Sequence, residues 1–394
     1  MSAVTPAIVY LDHAATTPLR EEVAEAMARA QADAWANPSS PHAAGRRAKR
    51  LLEDCRERII DLLGGRATGS GRDRLVFTSG ATEANRLAVL GCAGREPGTF
   101  ASSARDHKSV RGVLPELAAR GWQVVDVPLG ADGRIDPAWR MPDRAAGRAV
   151  VAATLVCSQS GSVEHVARVV VTHAAAAVHV DATQGIVCER VAFRDMAVAS
   201  LTVAPHKFSG PRGIGALIVR GDVPLDPLVP GPQEAGLRGG TEPVVLAAGF
   251  AQALELAVAE REATAMRLAA LRARLHAGLT AAAAAHGKVV EPILPAGGSP
   301  HIATLVIRGI DRQAFVMAAD LAGVACSTGT ACASGSSEPA PALVAMGLED
   351  DVVSGAVRFS LGVSTTDDDV DAAVGRLRPV LARLCRSVVD SRPA

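Results

Sequence analysis

Chemistry that runs through a lysine amine has few places to sit in this chain of 394 residues. Of its 41 Lys and Arg, only Lys49, Lys108, Lys207 and Lys288 are lysines. A Schiff base needs an amine that can shed its proton, and arginine cannot stand in because its guanidinium stays charged. Lys49, in RRAKR, falls in a helical pattern and reads as a solvated helix face. Lys288 follows an alanine run and a glycine, where a helix end is expected and a cation complements the dipole. Lys108 stands beside His107 in RDHKSV at a predicted helix start. Lys207 lies in LTVAPHKFSGPRGIGALIV, just past an apolar strand. That is a strand-end loop, where a parallel-sheet protein keeps its site. A surface loop lysine would look the same.

Asp181 ends the apolar run VHVD, with Gln184 three residues on. A carboxylate at a buried strand end needs a donor or a cation, and capping of the next helix is one use for it. Another is cofactor chemistry. An aspartate 26 residues before a strand-end lysine suits pyridoxal phosphate (PLP): the lysine forms the imine and the aspartate keeps the pyridine nitrogen protonated. FTSGATEAN runs from a predicted strand into a helix. Small residues Ser79, Gly80, Ala81 and Thr82 then leave N–H groups at a helix start, as a phosphate requires. Ordinary capping by Ser79 or Thr82 also fits. Cys332 sits in ACSTGTACASGSSEPAP, a Ser/Thr/Gly/Ala loop with little to pack against. It is expected to be exposed and mobile, as a reactive thiol must be; Cys326, at a strand end, reads as core.

Elements must position these residues. Predicted strands cover 74–78, 123–128, 149–157, 177–181, 200–204 and 214–219; predicted helices cover 21–35, 43–63, 81–92 and 108–120. Such alternation implies an α/β fold with a mostly parallel sheet covered by helices on both faces. From 242 to about 286 the sequence is nearly all helix formers, predicting one long helix or a helix pair. A smaller α/β unit follows, with strands at 301–308, 324–327 and 356–361 and helices at 312–322 and 367–385.

The charge balance, 41 Lys and Arg against 41 Asp and Glu, argues against direct nucleic-acid binding. No run reaches the roughly 20 apolar residues of a spanning helix, and the first residues lack the pattern of a secretory signal. The seven cysteines are odd in number and form no CxxC pair, which predicts reduced cytoplasmic thiols and no metal site. Aromatic residues make up only 3%, so the core is expected to be built from Ala, Val and Leu.

Taken together, these motifs resemble the group I cysteine desulfurases of the class V aminotransferase family. The likeness runs through YLDHAATTPL (10–19), NPSSPHAAGRRAK (37–49), FTSGATEAN (77–85), DHKSV (106–110), HVDATQ (179–184), PHKFSGPRGIGAL (205–217), QEAGLRGGTEP (233–243), STGTACASGSSEPAPALVAMGL (327–348) and VRFSLGVSTTDDDV (357–370). The resemblance implies PLP fold type I. In that fold a large PLP-binding domain (21–260) has a seven-stranded, mostly parallel sheet. A small C-terminal domain (261–394) carries the cysteine loop, and a segment (1–20) packs with it. By position, Lys207 would bind PLP covalently and move the Cα proton, Asp181 would pair with the pyridine nitrogen, and Gln184 would meet the ring hydroxyl. His107 would stack on the ring. Ala81, Thr82 and His206 would hold the phosphate, with Thr241 from the partner of a homodimer. Arg358 would clamp the substrate carboxylate, Asn37 would help to position the substrate, and Cys332 would take the sulfur of L-cysteine as a persulfide for an acceptor protein or enzyme.

The chain departs from the family pattern in two places near the cofactor. Ser158 stands where an Asn normally bonds the cofactor hydroxyl. Ala204 stands where a Ser normally bonds the phosphate, and Thr202, on the same strand face, is a candidate substitute. The chain also ends soon after its last predicted helix, without the longer tail of housekeeping members. These features imply a specialised desulfurase. Selenocysteine lyase or another C–S lyase on the same scaffold is the alternative, as is a non-catalytic sulfur-relay subunit.

Overall fold

A computed structural model describes residues 8–94, 96–142, 147–294, 297–329 and 338–387. Its strands, in chain order, are β1 (Val9–Tyr10), β2 (Arg74–Thr78), β3 (Thr99–Ser103), β4 (Gln123–Val127), β5 (Ala149–Thr154), β6 (Ala177–Asp181), β7 (Ser200–Val203), β8 (Gly215–Val219), β9 (Val290–Pro292), β10 (Ile302–Ile307), β11 (Val324–Ala325) and β12 (Ala356–Ser360). Seven of them form one sheet in the order β2-β8-β7-β6-β5-β3-β4. Only β8 runs against its neighbours; β7, β6, β5, β3 and β4 are mutually parallel. The carboxyl ends of the parallel strands therefore open on one edge of the molecule, where the Asp181 and Lys207 turns begin.

One of these strands escaped sequence reasoning. TFASS, β3, has only one large apolar residue, yet every position is buried. Its serines are paid for by Asp106: Oδ2 accepts from Ser102 Oγ (3.0 Å) and from Ser103 N (2.8 Å). The other oxygen of Asp106 accepts from Thr154 N and Oγ1, at 3.1 and 2.8 Å, at the end of β5. One buried carboxylate thus ties two adjacent strand ends and sets the position of His107 that follows it. Burial pushes this carboxyl above its ordinary range, against the donors around it.

The predicted helix 108–120 is broken in two, Lys108–Arg111 and Leu114–Ala119. Pro115 explains the break, because its ring cannot share a turn with the preceding carbonyls. The segment 242–286 is a single helix, Val244–Ala284, of 41 residues. It packs on helices Glu21–Asp33 and Ala43–Leu62 and then on Asp367–Ser387, so it runs along both the large sheet's layer and the C-terminal elements. There β12, β10 and β9 form an antiparallel sheet, and β1 pairs in parallel with β11. The core is rich in Ala, Val and Leu as expected, but all seven phenylalanines are also buried. No helix among the described residues is long and apolar enough to cross a membrane.

Candidate active site

Lys207 stands on a one-turn 3-10 helix, Pro205–Lys207, directly after β7. Its Nζ donates to the carbonyls of Ala14 and Ala15, both at 2.7 Å. The N-terminal segment is strapped to this turn: Thr17 N and Oγ1 both donate to His206 O, at 2.9 and 2.8 Å, and Ser209 N donates to Thr17 Oγ1 at 2.7 Å. Ser209 holds φ 63°, a conformation that costs a non-glycine residue free energy and persists where neighbours enforce it.

Asp181 is buried at the end of β6. Its Oδ2 accepts from Asn85 Nδ2 at 2.8 Å and its Oδ1 from Thr183 N at 3.0 Å. Asn85 is the centre of a polar relay. Nδ2 also donates to Ser109 Oγ (2.9 Å), and Oδ1 faces His179 Nε2 (3.1 Å). His179 Nδ1 meets Ser200 Oγ at 2.9 Å, and burial pushes this ring down to about 4, so it is neutral. His107 joins through Ser109, whose amide donates to Nδ1 at 3.1 Å and whose Oγ lies 2.8 Å away. In the neutral ring the proton therefore sits on Nε2. The walls around His107 desolvate the ring and lower its pKa; Lys207 and Lys108 add to this, while Asp181 opposes it. Through Ser109 and Asn85 the His107 ring is connected by hydrogen bonds to Asp181.

Asn85 was not singled out in the sequence, although the signal was there. It lies four residues after Ala81 on the helix Ala81–Ala93, hence on the same face one turn on. The start of that helix has Gly80 as N-cap, with no side-chain cap. Thr82 is exposed and Ala81 partly so. Gly215 on β8 lets this turn lie flush on the sheet: a Cβ there would come within 2.5 Å of Gly80 C. Ser79 N donates to Glu83 Oε2 at 2.7 Å, and Glu83 is held by Arg238 at 3.0 Å. Nearby, His206 Nδ1 lies 3.2 Å from Thr16 Oγ1. Burial, Lys207 and Arg212 push that ring down to about 4. Thr202 is fully buried, and its Oγ1 has no hydrogen-bond partner among the described residues. Ala204 is equally buried and offers no donor. Thr241 is exposed.

At the other end, Arg358 on β12 is 2% exposed. Nη1 donates to Ser158 O at 3.0 Å and Nη2 to Asp12 Oδ1 at 2.7 Å. Asp12 is a second residue that sequence reasoning passed over, although it lies within YLDHAATTPL. Gln184 donates to Ala14 O at 2.8 Å, with its Oε1 3.3 Å from His301 Nε2. Asn37 stands apart on an exposed loop, its Oδ1 accepting from Ser39 N at 2.8 Å.

Cys332 lies outside the described residues. Ser327, five residues before it, is backbone-paired with Arg358 in both directions, at 2.7 and 3.0 Å. Burial pushes the thiols of Cys55 and Cys92 up to about 11 and those of Cys188 and Cys326 up to about 12. All four remain protonated at neutral pH and are poor nucleophiles.

Two further histidines flank the site. His13 and His301 are buried and pushed down to about 4 and about 3, chiefly by burial. Between pH 6.5 and 4 the unfolded chain takes protons that the folded rings refuse, so stability is intact above 6.5 and falls on acidification. Each ring costs about 1.4 kcal/mol per pH unit in that window. Thermal midpoints measured from pH 7.5 to 4.5 should drop steeply below 6.5, and less steeply in His301→Asn; identical slopes would refute this.

The fold and site define an α/β protein with a strand-end lysine and a buried carboxylate at the carboxyl ends of a parallel sheet. The aminotransferase class-V family model matches residues 9–373, and the chain belongs to that family. An IscS-like cysteine desulfurase of Mycobacterium tuberculosis (strain ATCC 25618 / H37Rv) is 34% identical over 98% of this chain and 100% of that one. Among solved structures, a NifS-like protein superposes with a TM-score of 0.84 at 26% identity, covering 96% and 100% of the two chains. SspA in complex with cysteine does so with a TM-score of 0.73 at 28% identity, covering 91% and 99%. Enzymes of this family depend on PLP, and the residues here fit it. Among the described residues, Asp181 is buried with two donors and Thr202 Oγ1 has no partner beside the lysine turn, and the amides of Ala81 and Thr82 open a helix without a side-chain cap.

Proposed function

We propose that this protein is a PLP-dependent cysteine desulfurase in which L-cysteine and an enzyme thiol become L-alanine and an enzyme persulfide. The observation that carries the reading is the convergence of Lys207, His107 and Asp181 at the carboxyl ends of β7, β3 and β6, with Arg358 tied through Ser158 to the end of β5. When bound, PLP supplies an electron sink for the Cα carbanion. Lys207 would hold it through Nζ and would move a proton there. Asp181, fixed by Asn85 and Thr183, would pair with the pyridine nitrogen, and Gln184 would meet the ring hydroxyl. His107 would stack on the ring and would move a proton at Nε2. Ala81, Thr82, His206 and Thr202 would hold the phosphate, and Ser158 would take the part of an Asn near the hydroxyl.

Arg358 takes the substrate carboxylate, since a guanidinium edge matches its two oxygens, and Asn37 helps to position the substrate. Cys332 takes the substrate sulfur and carries it to an acceptor protein, as in group I members. The chain divides at about residue 260 into a large domain and a small one, the first 20 residues packing with the latter. It works as a homodimer. Thr241, exposed here, reaches the partner's phosphate from a loop that Glu234 clamps to the edge strand β2 through Phe77 N (2.9 Å) and Arg56 (2.7 Å). With fewer donors around the cofactor at Ser158 and Ala204, we read a specialised acceptor.

The reading is tested by incubating the purified protein with PLP and L-cysteine and mapping the added sulfur by mass spectrometry. A mass gain of one sulfur atom at Cys332, with alanine released in equal amount, is expected. Sulfur on another cysteine, or none, would reject it.

A further inference from the structure

Arg358 carries more hydrogen-bonding capacity than the fold satisfies. It is almost wholly buried, where a guanidinium needs a partner for each donor. Nη1 is spent on Ser158 O, and Nη2 on one oxygen of Asp12. Nε is buried and has no acceptor among the described residues. Nε and Nη2 lie on the same lateral edge of the guanidinium, the edge that grips a carboxylate through two parallel bonds. Among the described residues, Asp12 therefore fills half of a two-oxygen site and no group fills the other half.

The backbone of Asp12 cannot move far. Ser360 N donates to Leu11 O at 2.7 Å, Ala14 N donates to Ser360 Oγ at 2.8 Å, and Tyr10 Oη donates to Asp12 O at 3.0 Å. Its side chain is freer, being 19% exposed against 3% for that of Arg358. Two residues on, the carbonyls of Ala14 and Ala15 take the Lys207 ammonium. Residues 12–15 thus engage both cations that an amino-acid substrate would meet.

We propose that Asp12 is an internal placeholder for the substrate carboxylate. It holds Arg358 neutralised and oriented until a ligand offers two oxygens to the Nε–Nη2 edge. The incoming carboxylate completes Nε, takes Nη2, and turns the Asp12 side chain toward water. Asp12 is then a specificity-determining residue: single-oxygen anions cannot repay its displacement, and every true substrate binds more weakly by the cost of moving it. This inference rests on the reading of Arg358 as the carboxylate clamp.

The test uses the PLP-loaded protein and 3-mercaptopropionate, which is cysteine without its amino group and so cannot bond covalently to the cofactor. Asp12→Asn keeps an oxygen for Nη2 but removes the competing charge. Calorimetric titration should show 3-mercaptopropionate binding about tenfold tighter, on the scale of one partly buried ion pair. The KM for L-cysteine should fall in parallel. A residue with only a structural role would weaken binding when replaced. Asp12→Ser, shorter and neutral, should also tighten binding and stands in if Asp12→Asn folds poorly. Arg358→Gln separates the two ideas. If it binds 3-mercaptopropionate as the parent does, the clamp reading fails and takes the placeholder with it. If it loses binding while both Asp12 variants bind no tighter than the parent, only the placeholder fails.

Discussion

Lys207→Ala should abolish covalent cofactor binding and lower desulfuration by roughly 10³-fold or more, the range expected when a positioned base is lost. The argument rests on scarcity and position together. Only four lysines exist. Lys49 lies within the helix Ala43–Leu62 and is exposed. Lys108 is exposed on its own short helix, and Lys288 follows the long helix with its amine beside Gly309. Lys108 also lies within the electrostatic reach of His107, but Lys207 alone does so from the turn that directly follows a buried strand. The visible absorption of the bound cofactor reads the first effect and alanine release reads the second. Borohydride reduction of the wild type with PLP should label Lys207 and nothing else. A label on any other lysine, or a variant that keeps the absorption band, would overturn the assignment.

Cys332→Ala should eliminate persulfide formation and reduce sulfide release in the presence of an added thiol to background, while the cofactor absorption is unchanged. Four of the other cysteines are held as thiols at neutral pH by burial, so none of them is poised to take over. The outcome also separates a desulfurase from a lyase that expels sulfur without an enzyme thiol. Alanine release that survives the substitution at the parent rate would favour the lyase chemistry and remove Cys332 from the mechanism.

Much of the fold was legible because the physics was local. The apolar runs of β2, β6 and β8 end at Thr78, Asp181 and Val219, where polar or turn residues interrupt them. Pairs such as Asp181 and Lys207 could be read from spacing because each follows directly on such a run. What failed was also physical. β3 carries serines that become strand residues only because Asp106, from the next turn, satisfies them. The helix over 108–120 was read as continuous because periodicity passes through Pro115, whose ring breaks the turn.

Composition and order by themselves singled out one strand-end lysine among four, an aspartate and a helix start in order with it, and a small-residue loop that carries a thiol. These are properties of short segments, where side-chain type and strand or helix period suffice. Only the tertiary structure decided which groups meet. Asn85 joins Asp181 to His107 across three elements, and the N-terminal residues 12–15 reach over to both Arg358 and Lys207. Those contacts join residues up to 346 positions apart. Their energy comes from burial and from satisfying polar groups removed from water, and no local pattern in the chain records which distant partner will be there.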